Sequence, residues 1–219
     1  NQTEKAFLSL WIGRTSILAD KEKEYSIRWF KQTEQSLVNS GSKLSHRDEN
    51  ILLENYEQMI WCYNSGGDYT NAEEILQKWF GQYYVDSEHY SGELTLDVIL
   101  SKPHDVKIGD FEFQFTGIWA RAAWLYFGKE EYAKAAKIFE RLAKNDENET
   151  SEDNWKMCEA IAYSKSGDYE MAELIELSCL NFRKSQLKKN ANQDGRLVSA
   201  ALRNLGQNAM YWAETSSAK

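Results

Sequence analysis

Proline is almost missing from this chain: Pro103 is the only one in 219 residues. Sandwiches and loop-rich scaffolds spend proline on their turns, so its scarcity points to helices and excludes collagen-like and proline-rich chains. Cysteine is scarce too. Cys62, Cys158 and Cys179 are odd in number and widely spaced, which excludes a disulfide framework. Buried free thiols in a reducing, intracellular and cytoplasmic setting fit them better. Histidine occurs at 46, 89 and 104 only. None stands at metal-ligand spacing from another His or Cys, so neither a metal nor another cofactor is expected. No apolar run reaches the length of a membrane span, and no charged-then-apolar signal segment opens the chain. Basic residues are outnumbered, 26 Lys and Arg against 34 Asp and Glu, for a net charge of −8. Such a chain repels a phosphate backbone, which disfavours general nucleic-acid binding.

What is present is an ordinary globular composition, 42% hydrophobic and 27% charged, with many aromatics (8 Trp, 12 Tyr, 9 Phe). The first residue is Asn1 rather than Met, so a fragment of a longer protein, or a processed product, is expected. Asn1-Gln2-Thr3 and Asn148-Glu149-Thr150 are formal glycosylation sequons of a kind that arises often by chance. One local exception to the acidic balance is Arg183, Lys184, Lys188, Lys189 and Arg196. It reads mainly as a solvated helix face and following loop, with a patch for an anionic partner as the alternative.

Three segments repeat one another. Tyr63, Tyr69 and Ala72 are matched by Tyr126, Tyr132 and Ala135, every landmark moving by 63, and then by Tyr163, Tyr169 and Ala172, every landmark moving by 37. Before each turn the apolar or small residues recur at helical spacing, as at Trp119, Ala122, Ala123 and Tyr126. Gly67 and Gly167 suit a backbone reversal, while Asp68 and Asp168 can cap the following helix. Ala135, Phe139 and Leu142 form one stripe of the second helix. A pair of this kind cannot bury its stripe alone and has to stack on neighbours.

The pattern resembles the tetratricopeptide repeat (TPR) family, whose signature runs Trp-x2-Leu-Gly-x2-Tyr, then Ala-x3-Phe, then Pro. Residues 116–149 match with Trp119, Ala123 in the Gly place, Tyr126, Ala135 and Phe139. Residues 53–86 supply Tyr56, Ile60, Tyr63, Ala72 and Leu76, and residues 153–186 supply Ala160, Tyr163, Ala172 and Glu176. Glu176 departs from the aromatic or Leu expected there, and no copy has the closing proline. The resemblance implies an all-α, right-handed helical-repeat solenoid, one TPR-like domain over residues 1–219. Degenerate copies extend it: a helical pair over 4–38, with Ser26 and Phe30 in the Ala and Phe places, and a capping helix over 195–214 carrying Leu202, Leu205 and Ala209.

The step of 63 leaves an insertion over about 81–115, most of it 87–115. Leu94 to Leu100 is rich in β-formers, and Val106 to Phe115 alternates apolar with polar. A short hairpin near 94–113, pairing about 94–100 with 106–113, is one expectation. A longer first-copy helix followed by an ordered loop is the other, and Phe111, Phe113 and Phe115 could also open the next helix.

Chemistry is sparse. Asp86, Glu88 and His89 lie close in sequence, yet a solvated loop accounts for them better than an active site. No nucleophile elbow, dinucleotide fingerprint or phosphate loop occurs. No catalytic or metal-binding residue is therefore named, and the chain is not expected to be an enzyme. The resemblance instead places the first helix of each copy on a concave face. Its partner-binding candidates are Glu54, Glu57, Trp61 and Asn64 in the first copy, Arg121, Trp124 and Phe127 in the middle one, and Met157 and Ile161 in the third. The family's carboxylate clamp needs several basic groups, and only Arg121 is basic among these. The implied function is a non-enzymatic protein-interaction scaffold for a protein or peptide with apolar or basic side chains, or alternatively a ligand- or peptide-sensing module controlling an attached effector domain. Filling of the groove by the chain's own insertion or terminal helices stands beside both.

Overall fold

The computed structural model describes residues 2–19, 22–38, 44–83, 105–108, 111–114, 116–189 and 195–217. These residues are helical apart from one short ladder. The helices are α1 (Gln2–Leu18), α2 (Lys23–Val38), α3 (His46–Ser65), α4 (Tyr69–Tyr83), α5 (Thr116–Gly128), α6 (Tyr132–Asn145), α7 (Glu149–Ser166), α8 (Tyr169–Lys189) and α9 (Arg196–Ser217). Two compact units divide the chain, residues 1–121 and 122–219, and the division falls inside α5.

Local chemistry sets the helix ends. Ser45 caps α3 through a reciprocal box: its Oγ accepts from the Asp48 N–H at 3.2 Å, and the Asp48 carboxylate accepts from the Ser45 N–H at 3.1 Å. The Asn148 side chain caps α7, accepting from the Thr150 and Ser151 amides. Asp68 and Asp168 do the same work for α4 and α8, each taking an amide three residues on at 3.2 Å.

The three repeated turns close alike. The carbonyl of Tyr63 accepts from the Asp68 N–H at 2.9 Å, that of Tyr126 from Glu131 at 2.9 Å and that of Tyr163 from Asp168 at 3.0 Å. In each, the residue before the closing amide takes a left-handed conformation: Gly67 at φ 77°, Glu130 at φ 62° and Gly167 at φ 90°. Only the middle copy puts a side chain there, against the steric preference of L-residues. Glu131 also lacks the short reach of aspartate and makes no cap bond; its carboxylate pairs with Lys129 and Lys134 instead.

In the unit of residues 1–121, α1 packs on α2, α2 on α3 and α3 on α4. Leu10, Phe30, Tyr56, Ile60, Leu76 and Trp79 are fully buried there. Phe80 meets Trp79 edge-on at 5.0 Å and Trp119 at 5.8 Å. Burying side chains of this size stabilises by about 1.5–3 kcal/mol each. Ser26 and Phe30, assigned to the Ala and Phe places of a degenerate copy, are both fully buried. In the unit of residues 122–219, α6 packs on α7, α7 on α8 and α8 on α9. The landmark alanines Ala72, Ala135 and Ala172 have no exposed surface, in keeping with small residues that let paired helices approach closely.

The strand pairing expected between 94–100 and 106–113 is not borne out. Residues 94–100 lie outside the described residues, and the stretch read as one strand is two. β1 (Asp105–Ile108) runs antiparallel to β2 (Phe111–Gln114), with Val106 opposite Phe113 and Lys107 opposite Glu112. Gly109-Asp110 separates the two strands in sequence, a dipeptide favoured between hairpin strands.

Candidate partner-binding face

In the first unit the face assigned to partner binding lies on α3. Glu54 forms an ion pair with Arg14 of α1. One turn on, Glu57 meets the start of α5, where a Cβ on Gly117 would overlap the Glu57 carboxylate and oblige that side chain to swing aside. Burial pushes Glu57 above the ordinary carboxylate range, and the Arg121 guanidinium pulls it partway back. Arg121 is pushed down by the same burial, with Glu57 acting to raise it. Arg121 Nε and Asn64 Oδ1 are buried atoms without a hydrogen-bond partner among the described residues. Trp61, on the same helix, is 37% exposed. Glu54, Glu57, Trp61, Asn64 and Arg121 thus combine an exposed indole with half-buried charges of both signs.

In the second unit Trp124 is 38% exposed. Its ring meets Phe127 edge-on at 5.5 Å and Phe139 at 5.1 Å, so it is braced from below while its outer surface stays open. The third-copy candidates have a different setting. Met157 is buried in a cluster with Cys179, Leu180 and Ala201, and Ile161 packs against that cluster together with Val198 and Leu205 of α9. Asn204 of α9 donates to the Met157 sulfur at 3.0 Å. Lys165 lies over the Tyr211 ring at 4.9 Å, and Tyr169 stacks on Trp212 at 6.3 Å. Helix α9 therefore covers Met157 and Ile161.

Other sites read from the sequence fare differently. Asp86, Glu88, His89 and His104 lie outside the described residues. Among the described residues no group of three or more His, Cys, Asp or Glu converges as a metal site, and no helix is long and apolar enough to cross a membrane. Arg183, counted with a solvated basic face, is buried: its Nε donates to Asp153 at 2.6 Å. A cationic surface that went unread lies on α1 and α2. There Lys5, Arg28 and Lys31 line an open cavity of about 610 Å³ with Gln32, Gln35 and Ser36. Its signal was available, since 28, 31, 32, 35 and 36 share one helix face. Comparison with protein-family models, curated proteins and solved structures found no match to the chain.

Proposed function

We propose that the chain is a TPR-like, right-handed helical solenoid acting as a non-enzymatic scaffold, which binds a protein or peptide through the aromatic-bearing faces of its first helices α3 and α5. The architecture is supported by the three turns, which share a hydrogen bond, a left-handed residue and a buried alanine at one phase. It is also supported by alternate helices touching: Arg14 of α1 reaches Glu54 of α3, and Asn204 of α9 reaches Met157 of α7. Stacked helix pairs bring alternate helices together in this way.

The observation that carries the binding role is the pair of tryptophans. Trp61 and Trp124 stand 63 residues apart in sequence, in phase with the repeat, and each keeps over a third of its surface open. Tryptophan, with tyrosine and arginine, is enriched among binding hot spots. The partner that fits presents apolar or aromatic side chains, with a basic group for the carboxylates of Glu54 or Glu57. Three free thiols support an intracellular, cytoplasmic setting.

The test is a set of cationic, aromatic-containing peptides titrated against the chain, followed by tryptophan fluorescence. Binding that weakens at least tenfold in Trp61→Ala or Trp124→Ala, with helicity retained, is the expected result. A folded Trp61→Ala/Trp124→Ala double variant that binds as well as the parent would end this reading.

A further inference from the structure

At three phases where the other two helix pairs bury a large or apolar side chain, the third carries a charged one: Lys156, in the place of Tyr56 and Trp119, and two glutamates. Position 59 is Met and its counterpart 122 is Ala, both buried, whereas the third copy has Glu159 on α7, 7% exposed. Leu76 and Phe139 are buried at the second phase, and there the third copy has Glu176 on α8, 1% exposed. Each glutamate thus occupies a place that the fold otherwise gives to an apolar side chain.

Neither carboxyl has a cation of its own. Helix α6 brings Glu140 and Lys144 toward Glu159, and α7 itself brings Lys156 and Tyr163. The two lysines are already held, Lys144 by Glu140 and Lys156 by Glu152. Helices α8 and α9 bring no described charged group to Glu159. Around Glu176 the single charge is Glu173 of its own helix; α7 and α9, which pack against α8, contribute none among the described residues. Glu176 Oε2 is buried without a hydrogen-bond partner. A buried carboxylate in such surroundings is costly, whereas a carboxylic acid is tolerated.

We propose that the α7–α8 pair is a proton-operated element, packed tightly when Glu159 and Glu176 are carboxylic acids and loosened when they ionise. The seat of α9 goes with it, since Met157, Cys179 and Leu180 of this pair hold Ala201. Burial pushes both carboxyls up to about 7, with Glu140 adding to the rise at Glu159 and Glu173 at Glu176. Because the folded-state value lies above that of the unfolded chain, stability is lost as pH rises from the ordinary glutamate range to about 7, and is level above that. Asp48 and Glu131 are shifted the other way, so their transitions fall below this interval.

The experiment measures the folding constant of the whole chain by urea denaturation between pH 5.5 and 8.5, with amide hydrogen exchange to locate the change. Linkage predicts a fall of roughly 30-fold for each glutamate over that interval. Loss of protection should concentrate in α7, α8 and α9. In Glu159→Gln/Glu176→Gln the fall should shrink to the share that Glu57, also raised by burial, contributes. A parent whose folding constant is flat over the interval overturns the proposal, as does a double variant that keeps the full fall. Should the double variant not fold, carbon-13 NMR titration of the parent's glutamate carboxyls decides: two groups titrating near 7 uphold the proposal, and none doing so overturns it.

Discussion

Arg183 and Asp153 form an ion pair at 2.6 Å with both side chains almost wholly out of solvent. The same guanidinium donates from Nη1 to the carbonyl of Leu197 at 3.1 Å, so one side chain of α8 ties α7 to the first turn of α9. Removing one partner of a buried pair strands the other charge at a cost of about 3–5 kcal/mol. Arg183→Met should lose that much in urea denaturation. Arg183→Met/Asp153→Leu should recover most of it, because no charge is then left buried. A single substitution costing under about 1 kcal/mol would mean that water reaches Asp153 freely.

Glu130→Gly should stabilise the protein. Glu130 holds φ 62° where the other two copies have glycine, and the left-handed region costs a side-chain-bearing residue about 1–2 kcal/mol. The greater freedom of glycine in the unfolded chain takes back part of this, leaving a net gain of about 0.5–1 kcal/mol, readable as a rise in Tm. The same change at the neighbouring Glu131 should bring no such gain, since Glu131 is not left-handed.

Gly117→Ala should destabilise although alanine is the better helix former by about 1 kcal/mol. The new methyl overlaps the Glu57 carboxylate, which must swing aside from Arg121, and leaving that half-buried guanidinium without its counter-charge costs about 1–3 kcal/mol. The sign should reverse once the carboxylate is gone, with Glu57→Ala/Gly117→Ala more stable than Glu57→Ala. A double-mutant cycle measures this coupling directly.

The thiols should be inert in the native protein. Burial pushes Cys62 and Cys158 up to about 11 and Cys179 up to about 12, so at pH 7.5 the thiolate fraction of each is on the order of one in a thousand or less. Titration with a chromogenic disulfide should proceed slowly in buffer and reach all three thiols at once in denaturant. Rapid labelling of the folded chain near neutral pH would show an opening of α3, α7 or α8.

What could be read in the sequence was phase. Tyr63, Tyr126 and Tyr163 marked three turns because helix, reversal and cap are local events that recur with the residues that cause them. Position 176 was legible as an exception for the same reason. Glu159 was not singled out, although the phase that flags Glu176 also aligns it with Met59 and Ala122; a glutamate on a first helix reads as solvated until its neighbours are known. Arg183 was misread because nothing near it in sequence shows that Asp153, thirty residues earlier, is its partner. The same limit applies to Met157 and Ile161: spacing placed them on the expected face, but only the path of α9 shows what covers that face. The short ladder was misjudged through weighting, since Gly109-Asp110 was read as part of one strand rather than as the point between two.

The atoms that close each repeated turn belong to the main chain alone: a tyrosine carbonyl and the amide five residues on. Side chains tune the closure but do not make it, so the six-residue stretch 63–68 has the same length and the same attachment points as 126–131 and 163–168. Exchanging 126–131 for 163–168 should therefore leave the chain folded, an outcome that helicity and Tm of the spliced protein would check.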